Sequence, residues 1–370
     1  MAKHVVALFG SGKIGSAIAG LLTSSGRYTV RVCDGDLARA ESVAKSWSDC
    51  TAHQLDVNDP ALLAKLLEGA DAVLSALPYF CDEAVAKAAR AANCHFLDLT
   101  EDVATTDKIV AIAKGASSVF MPQCGLAPGF ISIAAYAVAR QFEKVDSIKM
   151  RVGALPIYPS NMIKYNLTWS TDGLINEYGN PCEAIIDGKL HSVQPLEGLE
   201  RFSLDGVEYE AFNTSGGLGS MCETMLGKAR LVDYKTIRYP GHRDLFWFLM
   251  RELRFNEGRN ELKQILERSI PAATQDKCII FVEVRGTIAG QFTQRTAVST
   301  VYHTEVNKKQ LSAIQVTTAS GICAPLDLLL TGKLGDVHGF YRCEDIPLEL
   351  FLSNEFGKHY NSGSAQRPVT

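Results

Sequence analysis

No stretch of this chain reaches the ~18 uninterrupted apolar residues that a membrane-spanning helix needs, and the N-terminus runs straight into a strand pattern instead of a leader. Excess charge is lacking too. The net value of −4 supplies no basic surplus for nucleic acid or an anionic membrane. The ten cysteines are scattered from Cys33 to Cys343 without a CxxC pair, and the eight histidines are equally dispersed, so no metal site is expected. Such cysteines read as small buried hydrophobes in a reducing compartment. Internal repeats and low-complexity tracts are absent as well. These absences leave a cytoplasmic protein whose partners are small molecules.

What the chain does have is a strong opening. An apolar run over residues 5–9 is followed by Gly10-Ser11-Gly12-Lys13-Ile14-Gly15 and then by an apolar-periodic stretch to about Leu22. Strand, glycine turn and helix in that order form a dinucleotide fingerprint. Gly10 permits the tight turn, Gly12 lets a pyrophosphate lie on bare backbone, and Gly15 lets the helix pack on the strand. The helix N-terminus then offers N–H groups and a partial positive charge to the phosphates. A second strand pattern ends in Asp34, nineteen residues past Gly15, where a carboxylate that accepts from the ribose hydroxyls belongs. A carboxylate there repels a 2′-phosphate, which favours NAD over NADP, although Arg31 and Arg39 stand nearby.

At 370 residues the chain exceeds the size of one hydrophobic core, so two domains are expected. Strand patterns near 51–54, 72–75, 95–98 and 118–121 alternate with helical patterns at 37–45, 60–67, 82–92 and 105–114. That alternation predicts an α/β fold: a Rossmann doubly wound parallel sheet, with ligands at the carboxyl ends of its strands. Three strand ends are therefore candidate sites. Asp56 could contact the adenine end or simply cap the following turn. Ser75, Ala76 and Leu77 could line the cofactor, with Tyr79 a catalytic candidate or a loop aromatic. Asp98, followed by Glu101 and Asp102, could act in catalysis, or these acids could offset the dipole of the next helix.

The segment 122–129, Pro-Gln-Cys-Gly-Leu-Ala-Pro-Gly, reads as a domain junction, with Pro128 in the first turn of a helix. The predicted domains are residues 1–125, a cofactor-binding Rossmann domain; 126–320, an α+β domain on a mainly antiparallel sheet for substrate binding and dimerisation; and 321–360, a helical segment returning towards the first. Strand patterns at 148–152, 279–287 and 294–303 belong to the middle domain, the last two forming a hairpin through 287–290.

The strings WSTDGLINEY from Trp169, FNTSGGLGS from Phe212 and YKTIRYPGH from Tyr234, with CGLAPG from Cys124 and the glycine fingerprint, resemble the saccharopine dehydrogenase-like family, most closely its lysine 6-dehydrogenase branch. The resemblance spans residues 5 to about 356. It implies an NAD-dependent oxidoreductase of an amino-acid amine: hydride leaves the carbon bearing nitrogen, water hydrolyses the imine, and lysine yields a semialdehyde that cyclises, plus ammonia. Saccharopine or carboxynorspermidine dehydrogenase is the alternative within the family. A non-catalytic dinucleotide sensor is the alternative outside it. A homodimer or higher homo-oligomer is expected by analogy.

That chemistry needs a base for the amine, a cation for the substrate carboxylate and a carboxylate for an ammonium group. Lys235 and His242 are the acid/base candidates, and Arg238 is the carboxylate-binding candidate. Glu177 could receive an ammonium group and Tyr178 could share a proton. Cys124 is a substrate-side candidate or a packed thiol. Each also has an ordinary reading: Lys235 as a solvated charge, Arg238 as a bridging residue, His242 as a helix cap, Tyr178 as core and Glu177 as a surface charge.

Overall fold

The computed structural model describes residues 3–272 and 275–364. Its chain divides into two compact units. The first comprises Met1–Phe130, Glu305–Lys309 and Gln315–His359, and the second comprises Ile131–Thr304, Gln310–Ile314 and Tyr360–Thr370.

In the first unit β1 (His4–Phe9), α1 (Lys13–Ser24), β2 (Tyr28–Asp34), α2 (Leu37–Ser46), β3 (Cys50–Gln54), α3 (Pro60–Leu67), β4 (Ala72–Ser75), α4 (Asp82–Ala91), β5 (His95–Asp98), α5 (Val103–Ala113) and β6 (Val119–Met121) alternate as the sequence pattern predicts. Short acids start the helices. Asp36 accepts from the N–H groups of Ala38 and Arg39, Asp59 from those of Ala61 and Leu62 ahead of a helix that opens on Pro60, and Asp102 from that of Thr105. The strands pair in parallel in the order β6-β5-β4-β1-β2-β3, so the order reverses between β1 and β4. A seventh strand, Gly339–Phe340, joins outside β6. Two residues are too few to carry a strand signature, and the sequence pattern misses it. The buried side of the sheet is apolar: Ala7, Phe9, Val73, Phe96 and Phe120 pack with Leu63, Val85 and Ile109 from the helices.

The next helix, α6 (Phe130–Ala139), begins later than expected. Pro128 precedes it, in a tight turn closed by the Phe130 N–H on the Gly125 carbonyl, where a Cβ on Gly129 would stand 2.2 Å from Gly125 O. The expected first-turn proline is therefore a loop proline.

The second unit is built on eight strands: β7 (Lys144–Pro156), β8 (Cys182–Ile186), β9 (Lys189–Val193), β10 (Glu200–Leu204), β11 (Val207–Asn213), β12 (Leu231–Arg238), β13 (Asp276–Ile288) and β14 (Gln291–Tyr302). Their path is β10-β11-β12-β7-β13-β14, with β8 beside β12 and β9 beside β8. All pairings are antiparallel except β12 with β7. The hairpin of β13 and β14 turns at Ala289 (φ 49°) and Gly290 (φ 73°), two left-handed residues whose twist suits a two-residue hairpin. Helices α7 (Thr171–Gly179), α8 (His242–Trp247) and α9 (Arg259–Ser269) pack against the sheet through Leu174, Tyr178, Phe246 and Leu262, which meet Phe212.

A helix over Ala313–Leu330 starts well before the predicted 321, because Asp276 accepts from the N–H groups of Ala313 and Ile314 and so fixes its first turn. By length and composition alone this helix could cross a membrane; it is mostly buried, as a core helix is.

Candidate active site

The glycine loop has the shape that a dinucleotide requires. Gly10 sits at φ +102°, and a Cβ there would stand 2.6 Å from the Ala76 carbonyl oxygen. A Cβ on Gly15 would meet Gly10 O at 2.0 Å, whereas one on Gly12 would meet nothing within 4 Å. Turn and close packing are thus confined to the outer two glycines, and the middle one faces open space. Gly12 caps α1 with no side-chain bond, and no acid lies in the first turn, so the helix end suits a phosphate. Lys13 is exposed, Ile14 is half-buried, and the Ala76 N–H bonds back to Phe9 O at 2.7 Å.

At the end of β2, Asp34 Oδ2 accepts from both N–H and hydroxyl of Ser11 at 2.7 Å, and Oδ1 accepts from the Asp36 N–H at 2.9 Å. Burial alone would raise this carboxyl; the bonds from Asp36 and Ser11 outweigh it and hold the group below its ordinary range. Asp34 is therefore an anion pinned against the loop. Arg31 is committed to the carbonyls of Leu66 and Glu68, and Arg39 pairs with Asp36 at 3.2 Å while 73 % exposed. Asp56 is exposed and accepts from the Asn58 N–H at 2.9 Å; in this structure it is a turn residue.

Next to the loop in the sheet, Ser75 pairs with Phe9 on one side and with Asp98 on the other. This register gathers acids. Ser75 Oγ donates to Asp82 Oδ1 at 2.5 Å, and Asp98 Oδ1 accepts from the N–H groups of Thr100 at 3.0 Å and Gln123 at 2.8 Å. Asp98 Oδ2 is buried without a partner. Burial, with Glu101 adding to it, pushes the Asp98 carboxyl up to about 7; burial and then the charge of Asp98 push Asp82 well above the carboxylate range. Two such carboxyls cannot both ionise at neutral pH. Asp98, with two backbone donors, is the member that carries the charge, and Asp82 retains the proton. Tyr79 opens the 3-10 turn before α4, half-buried and edge-on to the exposed Phe80.

Cys124 is closed off. It is 0 % exposed, its Sγ lies 3.1 Å from the Met121 carbonyl and 3.3 Å from the Sγ of Cys343, and burial raises its thiol well above the ordinary range. The expected substrate-side thiol is a packed one in this structure.

In the second unit Arg238 Nε donates to the Tyr178 hydroxyl oxygen at 2.9 Å, and Tyr178 O–H in turn meets His242 Nε2 at 2.9 Å. His242 Nδ1 lies 2.8 Å from Ile163 O. A carbonyl can only accept, so Nδ1 carries the proton and Nε2 accepts from Tyr178. Burial and the Arg238 charge hold His242 well below its ordinary pKa, hence neutral. Both ring nitrogens are occupied, which removes His242 as the expected acid/base and makes it a support for Tyr178 and Arg238. The guanidinium also lies 4.9 Å from the ring of Tyr165, whose hydroxyl takes a bond from Trp169 Nε1 at 2.8 Å. Its bonds go to the Tyr178 hydroxyl and the Ile237 carbonyl. Glu177 is half-buried and acts on Arg238 as a nearby negative charge.

Lys235 does not join this group. It stands three residues before Arg238 on β12, and alternation sends the two side chains to opposite faces. Lys235 Nζ bonds Glu200 Oε1 at 2.5 Å and Gly198 O at 2.6 Å, beside a buried Arg151 that pairs with Glu200 and Asp233. Its ammonium is part of a structural charge network. Motif reading missed Asp82, Tyr165 and Cys343. The signal for Asp82 was available: an acid opening the helix after β4 occupies the same sheet end as Asp98.

Comparison with known proteins places the chain in a family. Residues 6–119 match the model of the saccharopine dehydrogenase NADP binding domain, and residues 125–354 match that of the saccharopine dehydrogenase C-terminal domain. The saccharopine dehydrogenase [NADP(+), L-glutamate-forming] of Saccharomyces cerevisiae is 30 % identical over 207 residues, 52 % of this chain and 44 % of that protein. Its Schizosaccharomyces pombe counterpart is 23 % identical over 246 residues, 64 % of this chain and 55 % of that protein. The chain thus spans about half the length of the curated relatives it matches. The solved apo structure of saccharopine dehydrogenase (L-Glu forming) from S. cerevisiae superposes with a TM-score of 0.77 at 19 % identity, covering 94 % of this chain and 97 % of that one, a likeness of fold.

Proposed function

The chain belongs to the saccharopine dehydrogenase family, and on that premise we propose that it is an NAD-dependent dehydrogenase that oxidises the ε-amine of L-lysine. The observation that carries the choice of lysine is Arg238. It is a buried guanidinium bonded to a hydroxyl and a carbonyl, suited to one substrate carboxylate. The other buried cations of the same sheet, Arg151 and Lys235, are already neutralised by Glu200 and Asp233 on the opposite face. A guanidinium whose bonds go to a hydroxyl and a carbonyl fits a monocarboxylate amine better than a substrate with further carboxylates.

The bound dinucleotide supplies the hydride acceptor. Gly10 to Gly15 would hold its pyrophosphate, and Asp34 would accept from the adenosine ribose hydroxyls. Because that carboxylate is held ionised by Ser11 and Asp36, it repels a 2′-phosphate, which supports NAD. Asp98, with its unpartnered oxygen, takes the proton from the substrate ammonium so that the neutral amine can lose hydride from its carbon. Tyr79, half-buried in the turn before α4, shares that proton. Water adds to the resulting carbon–nitrogen double bond and ammonia leaves, giving the semialdehyde.

The yeast relatives' names give a second reading, oxidation of saccharopine with NADP. One panel separates the two: purified protein with L-lysine or saccharopine, each with NAD or NADP, followed by absorbance of the reduced cofactor. Turnover is expected with lysine and NAD. Turnover confined to saccharopine would replace this proposal with the second reading, and tight cofactor binding without turnover would favour a sensor.

A further inference from the structure

The strand Gly339–Phe340 runs parallel to β6, with Gly339 opposite Val119 and Phe340 opposite Phe120. Both strands deliver the residues that follow them to the same end of the sheet. Cys124 lies four residues past Phe120 and Cys343 three past Phe340, and the two thiols meet there, Sγ to Sγ 3.3 Å apart. Both are free. The proposed chemistry uses neither of them.

We propose that Cys124 and Cys343 are a covalent modification site: a small hydroperoxide oxidises them to a reversible intramolecular disulfide. The sulfurs at 3.3 Å need to close only to a bond of about 2.05 Å, and both sit on short connecting segments, Cys343 in the three-residue turn Cys343–Asp345. The order of events follows from exposure. Cys343 retains 5 % exposure and Cys124 none, so Cys343 meets the oxidant first. Its sulfur attacks one peroxide oxygen as the thiol gives up its proton; the S–O bond forms, the O–O bond breaks, and the departing oxygen takes that proton and leaves as an alcohol or water. The Cys124 thiol then attacks the sulfenic sulfur: the S–S bond forms, the S–O bond breaks, and hydroxide takes the thiol proton and leaves as water. Two thiols are oxidised by two electrons and one hydroperoxide is reduced.

The site is coupled to the acid cluster. Residue 123 donates its N–H to Asp98 Oδ1, and Cys124 donates its own to the Asp98 carbonyl at 2.9 Å. Drawing Cys124 towards Cys343 therefore pulls on the segment that holds Asp98. The bond-forming step itself does not depend on the enzymatic reading.

The test is peroxide treatment of this 370-residue chain, blocking of remaining thiols, digestion and mass spectrometry. The expected result is a peptide pair joined through Cys124 and Cys343, a fall in thiols titrated under denaturation from ten to eight, and recovery of both on reduction. Cys343→Ser should give no joined pair and leave Cys124 alkylatable. Cys50 and Cys81, half-buried where the pair is buried, are internal controls for oxidant exposure. If they are oxidised while Cys124 and Cys343 stay alkylatable, or if either cysteine joins a different partner, the proposal is wrong. Should Cys343→Ser fail to fold, mapping in the unsubstituted protein decides alone.

Discussion

Asp98 and Asp82 show how position along the strands sets acid–base chemistry. Burial raises the Asp98 carboxyl to about 7, so the native protein keeps a proton that an unfolded aspartate loses near pH 4. Stability from this group therefore falls as pH climbs from about 4 to about 7, while its capacity as a base rises across the upper part of that window. For amine oxidation, kcat/KM is expected to increase with pH through about 7, and Asp98→Asn should lower it by about 10²- to 10⁴-fold and abolish that acid limb. A pH–rate profile checks this; an unchanged limb in the variant would assign the base elsewhere. The tight turn at Gly10, the close packing at Gly15 and the place of Asp34 at the end of β2 were legible because they are local, each set by a turn or by the next strand. The Asp82–Ser75 bond was not, since it depends on which strands become neighbours. The separation of Lys235 from Arg238 was legible too: three residues apart, they must face opposite sides of any strand containing both.

At the scale of elements, the α/β alternation before residue 125 was plain because buried parallel strands are short apolar runs between amphipathic helices. The sheet of the second unit was less so. Strands β9 and β10 are largely exposed or half-exposed and polar, and β8 is only five residues long, so no long apolar alternation announces them, and only β7, β13 and β14 carried a pattern. The start of the helix Ala313–Leu330 was hidden for another reason. Its cap comes from Asp276, 37 residues earlier in the chain, whose oxygens lie 2.5 Å from Ala313 N and 3.3 Å from Ile314 N. Asp276→Ala is expected to cost about 0.5–2 kcal/mol, the range for a lost N-cap, and Asp276→Asn less, because the amide oxygen still accepts. Burial raises this carboxyl to about 6, so the native state holds its proton longer than the unfolded state and the contribution to stability declines as pH rises from about 4 to about 6. Urea unfolding across that range reads both effects: the Asn variant should lose this slope, and equal midpoints for all three proteins would exclude the cap.

At the scale of the whole molecule the chain passes between its two units five times, so neither unit is a continuous piece of sequence. The first unit is completed by residues from the far end. Tyr28 donates to Asp327 at 2.5 Å, Arg27 pairs with Asp327 and Glu355 at 2.7 and 2.6 Å, and Phe130 packs on Phe351 at 5.2 Å. A fragment of residues 1–130 holds the whole glycine fingerprint yet lacks all of these partners and the strand beside β6. A buried hydroxyl without its acceptor costs about 1–3 kcal/mol, and the Phe351 contact and the outer strand are lost with it. These losses fall on a domain whose stability is only ~5–15 kcal/mol. The fragment is therefore expected to melt without a cooperative transition and to bind the dinucleotide at least tenfold more weakly than the full chain, as circular dichroism and calorimetric titration would measure. A cooperative melt with undiminished affinity would mean that the alternating pattern before residue 125 is sufficient by itself, and that Asp327, Phe351 and the returning strand are accessories to a domain already complete.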